Sequence, residues 1–412
     1  MKILHLNSSD IKGGAAKAAI NLHESLLNEN IESYFLSQIN HPSIKNSITK
    51  GSSLQNIIDI IKNGLARKIC KFYISNKKET LSISIFKSKI IDQINESDCD
   101  IVNLHWICNE FIAIDQIKKI KKPIIWSLYD MWPFSGAEHY SDNTRYKEGY
   151  SKDNRSHDEK GFDVNKWTWS RKVKNFSFPV ELVAPSSWLQ NCSKESAIFK
   201  DNITHKISHP INTNFWTPVD KNFAKDVFNF NKEKKTFLFF SSGVTQNYRK
   251  GFDFLPSIIN NLKSKQNKFD LVIVGQKQKE DLFNNTDIIR YIDFLEDDVS
   301  RKILYNAADL ILVPSRSEAF GLVVAESGSC ETPSIGFENT GVEESILHKR
   351  NGYLCKNKNL EDFTDGINWF LENESRFSQL GKNAREYVKK NFSNNIIAKK
   401  YIELYKNLMT KK

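Results

Sequence analysis

The stretch Leu310-Ile311-Leu312-Val313-Pro314-Ser315-Arg316-Ser317-Glu318-Ala319-Phe320-Gly321-Leu322-Val323-Val324-Ala325-Glu326 sets two carboxylates where they could flank a bound phosphate. Its apolar opening, Leu310–Pro314, reads as a strand; a loop then carries Glu318, and a helix opens near Gly321. Free N–H groups at a helix start can hold a phosphate with help from the helix dipole. Gly321, between Phe320 and Leu322, lets the backbone come close to such a group. Glu326 lies roughly 7–8 Å further along the helix, at about 1.5 Å per residue, with its side chain leaning back toward the start. Acceptor-only carboxylates suit sugar hydroxyls, one for a donor sugar and one for a ribose. Two ordinary acidic residues on a helix rim are the plainer alternative. Against it, Glu326 sits in a Leu-Val-Val-Ala run that should be buried, where an unpartnered glutamate would cost several kcal/mol.

A second element follows the apolar run Thr236–Phe240: Ser241-Ser242-Gly243-Val244-Thr245-Gln246-Asn247-Tyr248-Arg249-Lys250-Gly251. Adjacent cations in a loop at a strand's carboxyl end can neutralise a leaving diphosphate as its charge develops. A solvated Arg-Lys turn would look the same. Near the amino terminus, Gly13-Gly14-Ala15-Ala16 follows the first strand, Lys2–Leu6, and permits close approach to a diphosphate or sugar, although a simple turn uses the same residues. Asp98-Cys99-Asp100 precedes the run Ile101–His105 at its amino end, away from where ligands gather, and reads as a strand-entry turn, not a metal site.

These residues need elements to hold them. Extended runs at Ser33–Leu36, Ile101–His105, Ile124–Leu128 and Glu181–Ala184 alternate with helical patterns, the first being the small-residue helix Ala15–Leu27. The pattern breaks around His209-Pro210-Ile211-Asn212 and Trp216-Thr217-Pro218, which reads as an interdomain hinge. A second series follows at Thr236–Phe240, Asp270–Val274, Ile288–Ile292 and Leu310–Pro314, then helices over Leu360–Asn373, Arg376–Lys390 and Asn394–Leu408. The expected class is α/β: two doubly wound parallel-sheet domains facing across a cleft, with ligands at the carboxyl ends of the strands. Expected boundaries are 1–208, 209–390 and a terminal helix over 391–412 that returns to the first domain through Ile397, Tyr401, Leu404, Tyr405 and Leu408.

A chain of 412 residues, 40% apolar and 12% aromatic, can bury two cores and excludes wholesale disorder. It contains no apolar run of about 18 residues that would span a membrane, and Met1–Leu6 is too short for a signal peptide, so a cytoplasmic protein is expected. Residues 61–90 are Lys-rich with interleaved Phe, Ile and Leu, which fits either a surface resting on the anionic inner membrane face or a solvated helix pair. The net charge of +10 points to an anionic partner without choosing one; the lysines are spread along the chain, which disfavours nucleic acid. Six cysteines without a Cys-x-x-Cys pair read as reduced small hydrophobes. The phosphate loop, esterase, zinc-protease and dinucleotide motifs are absent.

Glu318-Ala319-Phe320-Gly321 through Glu326 resembles the signature of glycosyltransferase family 4, a Glu, seven residues and a second Glu, commonly with Phe-Gly after the first. Lys250-Gly251 also matches that family, and the likeness is nearest to capsule, O-antigen and colanic-acid transferases. It implies a GT-B fold and a retaining, metal-independent transfer of a hexose-type sugar from a UDP- or GDP-linked donor. The implied acceptor is a glycan, lipid-linked, in surface polysaccharide synthesis. Glu318, Lys250, Arg249 and Tyr129 become the catalytic candidates. Gly13, Gly14, Gly243, Phe320, Gly321, Leu322 and Glu326 would hold the donor, with its base near Phe294-Leu295 and Tyr305. The leaving phosphate would help deprotonate the acceptor on the same face. In Trp126-Ser127-Leu128-Tyr129-Asp130-Met131-Trp132, relatives carry His-Asp-Met-Trp with the histidine on the reacting sugar. Tyr129 stands there instead and can donate a hydrogen bond, but cannot match histidine's proton transfer near neutral pH. Asp130, His139 and His105 are acceptor-side candidates, and the histidines could also be structural. Many relatives have an arginine where Val244 stands. Tyr129 and Val244 together motivate a rival, a catalytically inactive protein that binds a sugar nucleotide or glycan.

Overall fold

Runs of Val, Ile, Leu and Phe buried on both faces build the two sheets, as parallel strands covered by helices require. The computed structural model describes residues 1–8, 13–38, 43–49, 51, 53–75, 80–241, 248–275, 283 and 287–410, and the chain divides into two compact units.

The first unit comprises Met1–Pro210 and Asn394–Lys412. Its strands are β1 (Lys2–Asn7), β2 (Glu32–Ser37), β3 (Ser47–Thr49), β4 (Tyr73–Ile74), β5 (Ile101–Leu104), β6 (Ile124–Ser127), β7 (Lys160–Gly161), β8 (Glu181–Ala184) and β9 (Thr204–Lys206). Seven form one parallel sheet in the order β3-β2-β1-β5-β6-β8-β9; β4 and β7 pair as a separate antiparallel ribbon. The strand order reverses between β1 and β5, so the carboxyl ends of those two strands open a crevice where a ligand can reach backbone. The terminal helix Asn394–Thr410 belongs to this unit. Ile397, Tyr401 and Tyr405 pack on Ile3, Leu22 and Ile101. Asn103 Nδ2 donates to Tyr405 Oη at 2.7 Å, which gives a buried amide in the sheet a partner.

The second unit, Ile211–Ser393, holds β10 (Lys235–Phe240), β11 (Phe269–Val274), β12 (Ile289–Ile292), β13 (Leu310–Val313), β14 (Ser334–Phe337) and β15 (Gly352–Cys355). All six are parallel in the order β12-β11-β10-β13-β14-β15, so the reversal falls between β10 and β13. Those are the strands after which Arg249-Lys250 and Glu318 occur. Asp98 and Asp100 sit at the amino end of β5, where Asp100 accepts the Lys2 backbone N–H at 2.8 Å and Asp98 takes its ammonium.

Candidate functional site

In the second unit, the loops leaving β10 and β13 are sewn together by backbone fit and by one arginine. Gly251 has φ +70°, and a Cβ there would lie 2.0 Å from the Pro314 carbonyl oxygen, so only glycine lets the first loop rest on the second. Arg316 N donates to the Arg249 carbonyl at 2.8 Å. Its guanidinium donates to both Asp253 carboxylate oxygens, at 2.7 and 2.6 Å, and to the Tyr248 carbonyl at 2.6 Å. The same group stacks 3.8 Å from the ring centres of Tyr248 and Phe254. Arg316 therefore fixes the turn Tyr248–Lys250 from below.

The clamp delivers both cations to one carboxylate. Lys250 Nζ lies 2.5 Å from Glu318 Oε1, and Arg249 Nη1 lies 3.2 Å from Oε2 while donating to the Ser317 carbonyl at 2.9 Å. Ser315 Oγ donates to Oε1 at 3.1 Å. Burial alone would raise the Glu318 carboxyl, but Lys250 and Arg249 outweigh it and hold it at about 2. Burial pulls the Lys250 ammonium down, and Glu318 opposes that. One charge balances two, which leaves the cluster a surplus positive charge beside a helix start. That helix, Leu322–Ser329, begins at Gly321 in the left-handed region, φ +81°, and no side chain caps it. Uncapped N–H groups and excess cationic charge together favour an anion. Gly341 completes the loop: its N–H donates to the Glu318 carbonyl at 2.7 Å.

Glu326 and Tyr305 depart from expectation. Tyr305 is fully buried; its ring packs against Trp216 and Phe240, and its hydroxyl donates to Glu326 Oε2 at 2.8 Å. A nucleotide base cannot stack on a ring inside the core, so Tyr305 is a core residue. Arg301 Nη1 adds a contact to Glu326 at 3.5 Å. The buried glutamate thus has partners, and its burial no longer argues by itself for a sugar contact. Phe294 is exposed, Leu295 packs partly on the core, and Phe320 is buried edge-on against Phe392. Leu322 is the first residue of the helix. Gly243 and Val244 lie outside the described residues.

In the first unit, Gly13 has φ +95° and precedes the helix Gly14–Asn28; the strain, not crowding, requires glycine there. Tyr129 follows β6, and its hydroxyl lies 2.9 Å from His105 Nδ1. His105 Nε2 in turn lies 2.7 Å from His5 Nδ1, and His209 stacks flat on Tyr129 at 4.7 Å. Burial holds His105 and His209 at about 3 and lifts the Tyr129 phenol well above its ordinary value.

The acceptor-side candidates Asp130, His139 and His105 each have partners within the first unit. Asp130 accepts from His139 Nδ1 at 2.6 Å, from the Trp106 indole and from the Trp132 backbone N–H, while His139 Nε2 meets Ser82 Oγ at 2.9 Å. All three are buried. Asp130 and His139 brace the loop after β6, and His105 braces Tyr129 directly. Arg316, Asp253 and His5 had no expected role. A histidine inside the apolar run Lys2–Leu6 was the one signal available for His5.

Fold and site together define the class. The architecture is GT-B, and residues 220–387, within the second unit, match the family model described as Glycosyl transferases group 1. The chain resembles N,N'-diacetylbacillosaminyl-diphospho-undecaprenol alpha-1,3-N-acetylgalactosaminyltransferase of Campylobacter jejuni, 29% identical over 34% of this chain and 38% of that protein. Among solved structures it resembles the sucrose-phosphate synthase of Thermosynechococcus elongatus, with TM-score 0.73 and 16% identity over the whole of both chains. It also resembles Alr3699/HepE of Anabaena in complex with UDP-glucose, with TM-score 0.67 and 15% identity over 99% of this chain and 100% of that one. The chain spans less than half the length of the first curated relatives it matches, 44% and 27%.

Proposed function

We propose that this protein is a retaining, metal-independent glycosyltransferase of family 4. It moves a hexose-type sugar from a UDP- or GDP-linked donor to a lipid-linked glycan in surface polysaccharide synthesis. The observation that carries the proposal is Glu318 held between Lys250 and Arg249 at the strand ends flanking the reversal in the second sheet. A donor diphosphate would draw the two cations and take the Leu322–Ser329 helix start, leaving Glu318 to accept hydrogen bonds from the sugar's hydroxyls. The cations would stabilise the departing diphosphate where charge grows, the electrostatic work a metal would otherwise do. The leaving phosphate then takes the acceptor's proton on the same face. UDP-glucose in the Anabaena protein and the undecaprenol-linked acceptor in the name of the Campylobacter relative support the donor and acceptor classes.

On the first unit, Gly13 and Gly14, at the start of the Gly14–Asn28 helix, would admit a phosphate, and Tyr129 would contact a sugar. The competing proposal, an inactive binder, draws on Tyr129 itself: its hydroxyl is engaged by His105, and a phenol is a poor proton carrier near neutral pH. Calorimetric titration with UDP, GDP and their hexose conjugates, followed by donor hydrolysis, separates the two. Turnover supports the enzyme; tight binding with no hydrolysis or transfer supports the binder; no binding of any nucleotide sugar overturns both.

A further inference from the structure

The helix Ser53–Cys70 is well anchored on one side only. Ala66 is buried and packs with Ile83, Ala137 and Val164, with Ile69 and Cys70 partly buried beside it. The opposite half turns Ile57, Ile60, Ile61 and Leu65 outward, Ile60 being 71% exposed. The chain then continues through Phe72 (69% exposed) into β4, where Ile74 (58%) extends the apolar surface. Among the described residues, seven of the sixteen exposed large apolar side chains fall between residues 57 and 74. Side chains exposed singly need no explanation; a cluster this dense on one helix and its following strand does.

The charges decide what covers it. The helix has one acidic residue, Asp59, and that carboxylate is buried, accepting from Gln55 at 3.1 Å with Lys62 Nζ at 3.8 Å. Its outward half therefore presents apolar groups with Arg67 and Lys68, and Lys71 follows directly. Apolar side chains beside cations, with no exposed acid on the helix itself, match the interface of an anionic bilayer, where carbon meets the acyl boundary and ammonium or guanidinium meets phosphate. The helix is not a membrane span, since among the described residues none is long and apolar enough. We infer that this surface, the outward half of Ser53–Cys70 with the edge of β4, docks on an anionic lipid bilayer. None of its residues belongs to the cluster around Glu318, so it stands or falls separately from the proposed transfer.

The test uses the full chain in flotation with vesicles of phosphatidylglycerol and phosphatidylethanolamine, against vesicles of phosphatidylcholine alone. Binding to the anionic vesicles, weakened by salt, is expected. The triple variant Ile57→Ser, Ile61→Ser, Leu65→Ser should lower partitioning by about tenfold or more, and so should Arg67→Glu with Lys68→Glu. Donor hydrolysis and melting temperature should hold in both variants. Phe72→Trp gives a readout in an otherwise unaltered surface: its emission should shift to the blue with anionic vesicles. Absent binding, equal binding to both vesicle types, or binding unaffected by the triple variant overturns the inference. A concentration-dependent dimer abolished by the same triple variant would also overturn it and assign the surface to a second copy.

Discussion

Glu318 and Lys250, 68 residues apart in the chain, meet at 2.5 Å, and the carboxylate is held at about 2 although it is buried. The unfolded carboxyl sits near 4.5, so the folded value is depressed. Its stabilisation is complete above pH 4.5 and is lost as pH falls through that value toward 2. The window is worth about 3 kcal/mol at most. Denaturant melts of the wild type between pH 6 and pH 2.5 should show this loss, and Glu318→Gln should lack it. In that variant the two cations also lose their counter-charge, so it should be less stable than wild type at pH 7, and its turnover should fall by about two to three orders of magnitude.

Lys250→Met and Arg249→Met remove the charges proposed to hold the diphosphate. Each should weaken nucleoside-diphosphate binding by about tenfold or more and flatten its salt dependence, as lost charge-assisted hydrogen bonds do. Titration at two salt concentrations measures both. Unchanged affinity in both variants would remove the cations from the donor site.

Gly251→Ala tests the seam between the two loops. A methyl group there meets the Pro314 carbonyl and a left-handed backbone together, so the loop must move. A stability loss of about 1–3 kcal/mol is expected, with nucleotide affinity falling alongside it, although the new methyl group carries no charge and need touch no ligand. Urea melts and titration of the same preparation check the pair of effects.

The parts of the fold legible in sequence were those whose residues carry their own burial. β1, β10, β11 and β13 are predominantly apolar runs and stand close to their expected bounds. β3, β4, β7, β9, β14 and β15 are not among the expected strands: each is short, and Ser-Ile-Gly-Phe or Gly-Tyr-Leu-Cys becomes a strand only because a neighbour supplies the ladder. At the site, residue type and position after a strand were enough to single out Glu318, Arg249 and Lys250. Their mutual contact was not legible, because the strand order that brings β10 beside β13 is long-range information. Tyr305 failed for a related reason. An aromatic ring that packs in a core and one that stacks on a base look alike until the partner at 2.8 Å, Glu326, is seen.

The contact between Tyr129 and His105 makes a prediction on both stability and acid sensitivity. Tyr129→Phe leaves His105 Nδ1, a buried polar atom, without the hydroxyl 2.9 Å away, and should cost about 1–3 kcal/mol. His105 and His209 are held at about 3, against an ordinary value of 6.5, because charging them inside the unit is unfavourable. His5 and His23, also buried and lowered, sit among the same rings, so protonating one disfavours the others. The unfolded chain therefore binds more protons below pH 6.5, and stability falls as pH drops through that value toward 3, before most carboxylates respond. His105→Asn should make the pH 7 protein less stable yet reduce the slope between pH 6.5 and 4.5. Urea melts at those three pH values decide it: an unaltered slope would mean that His105 is not a group whose charging unfolds this unit.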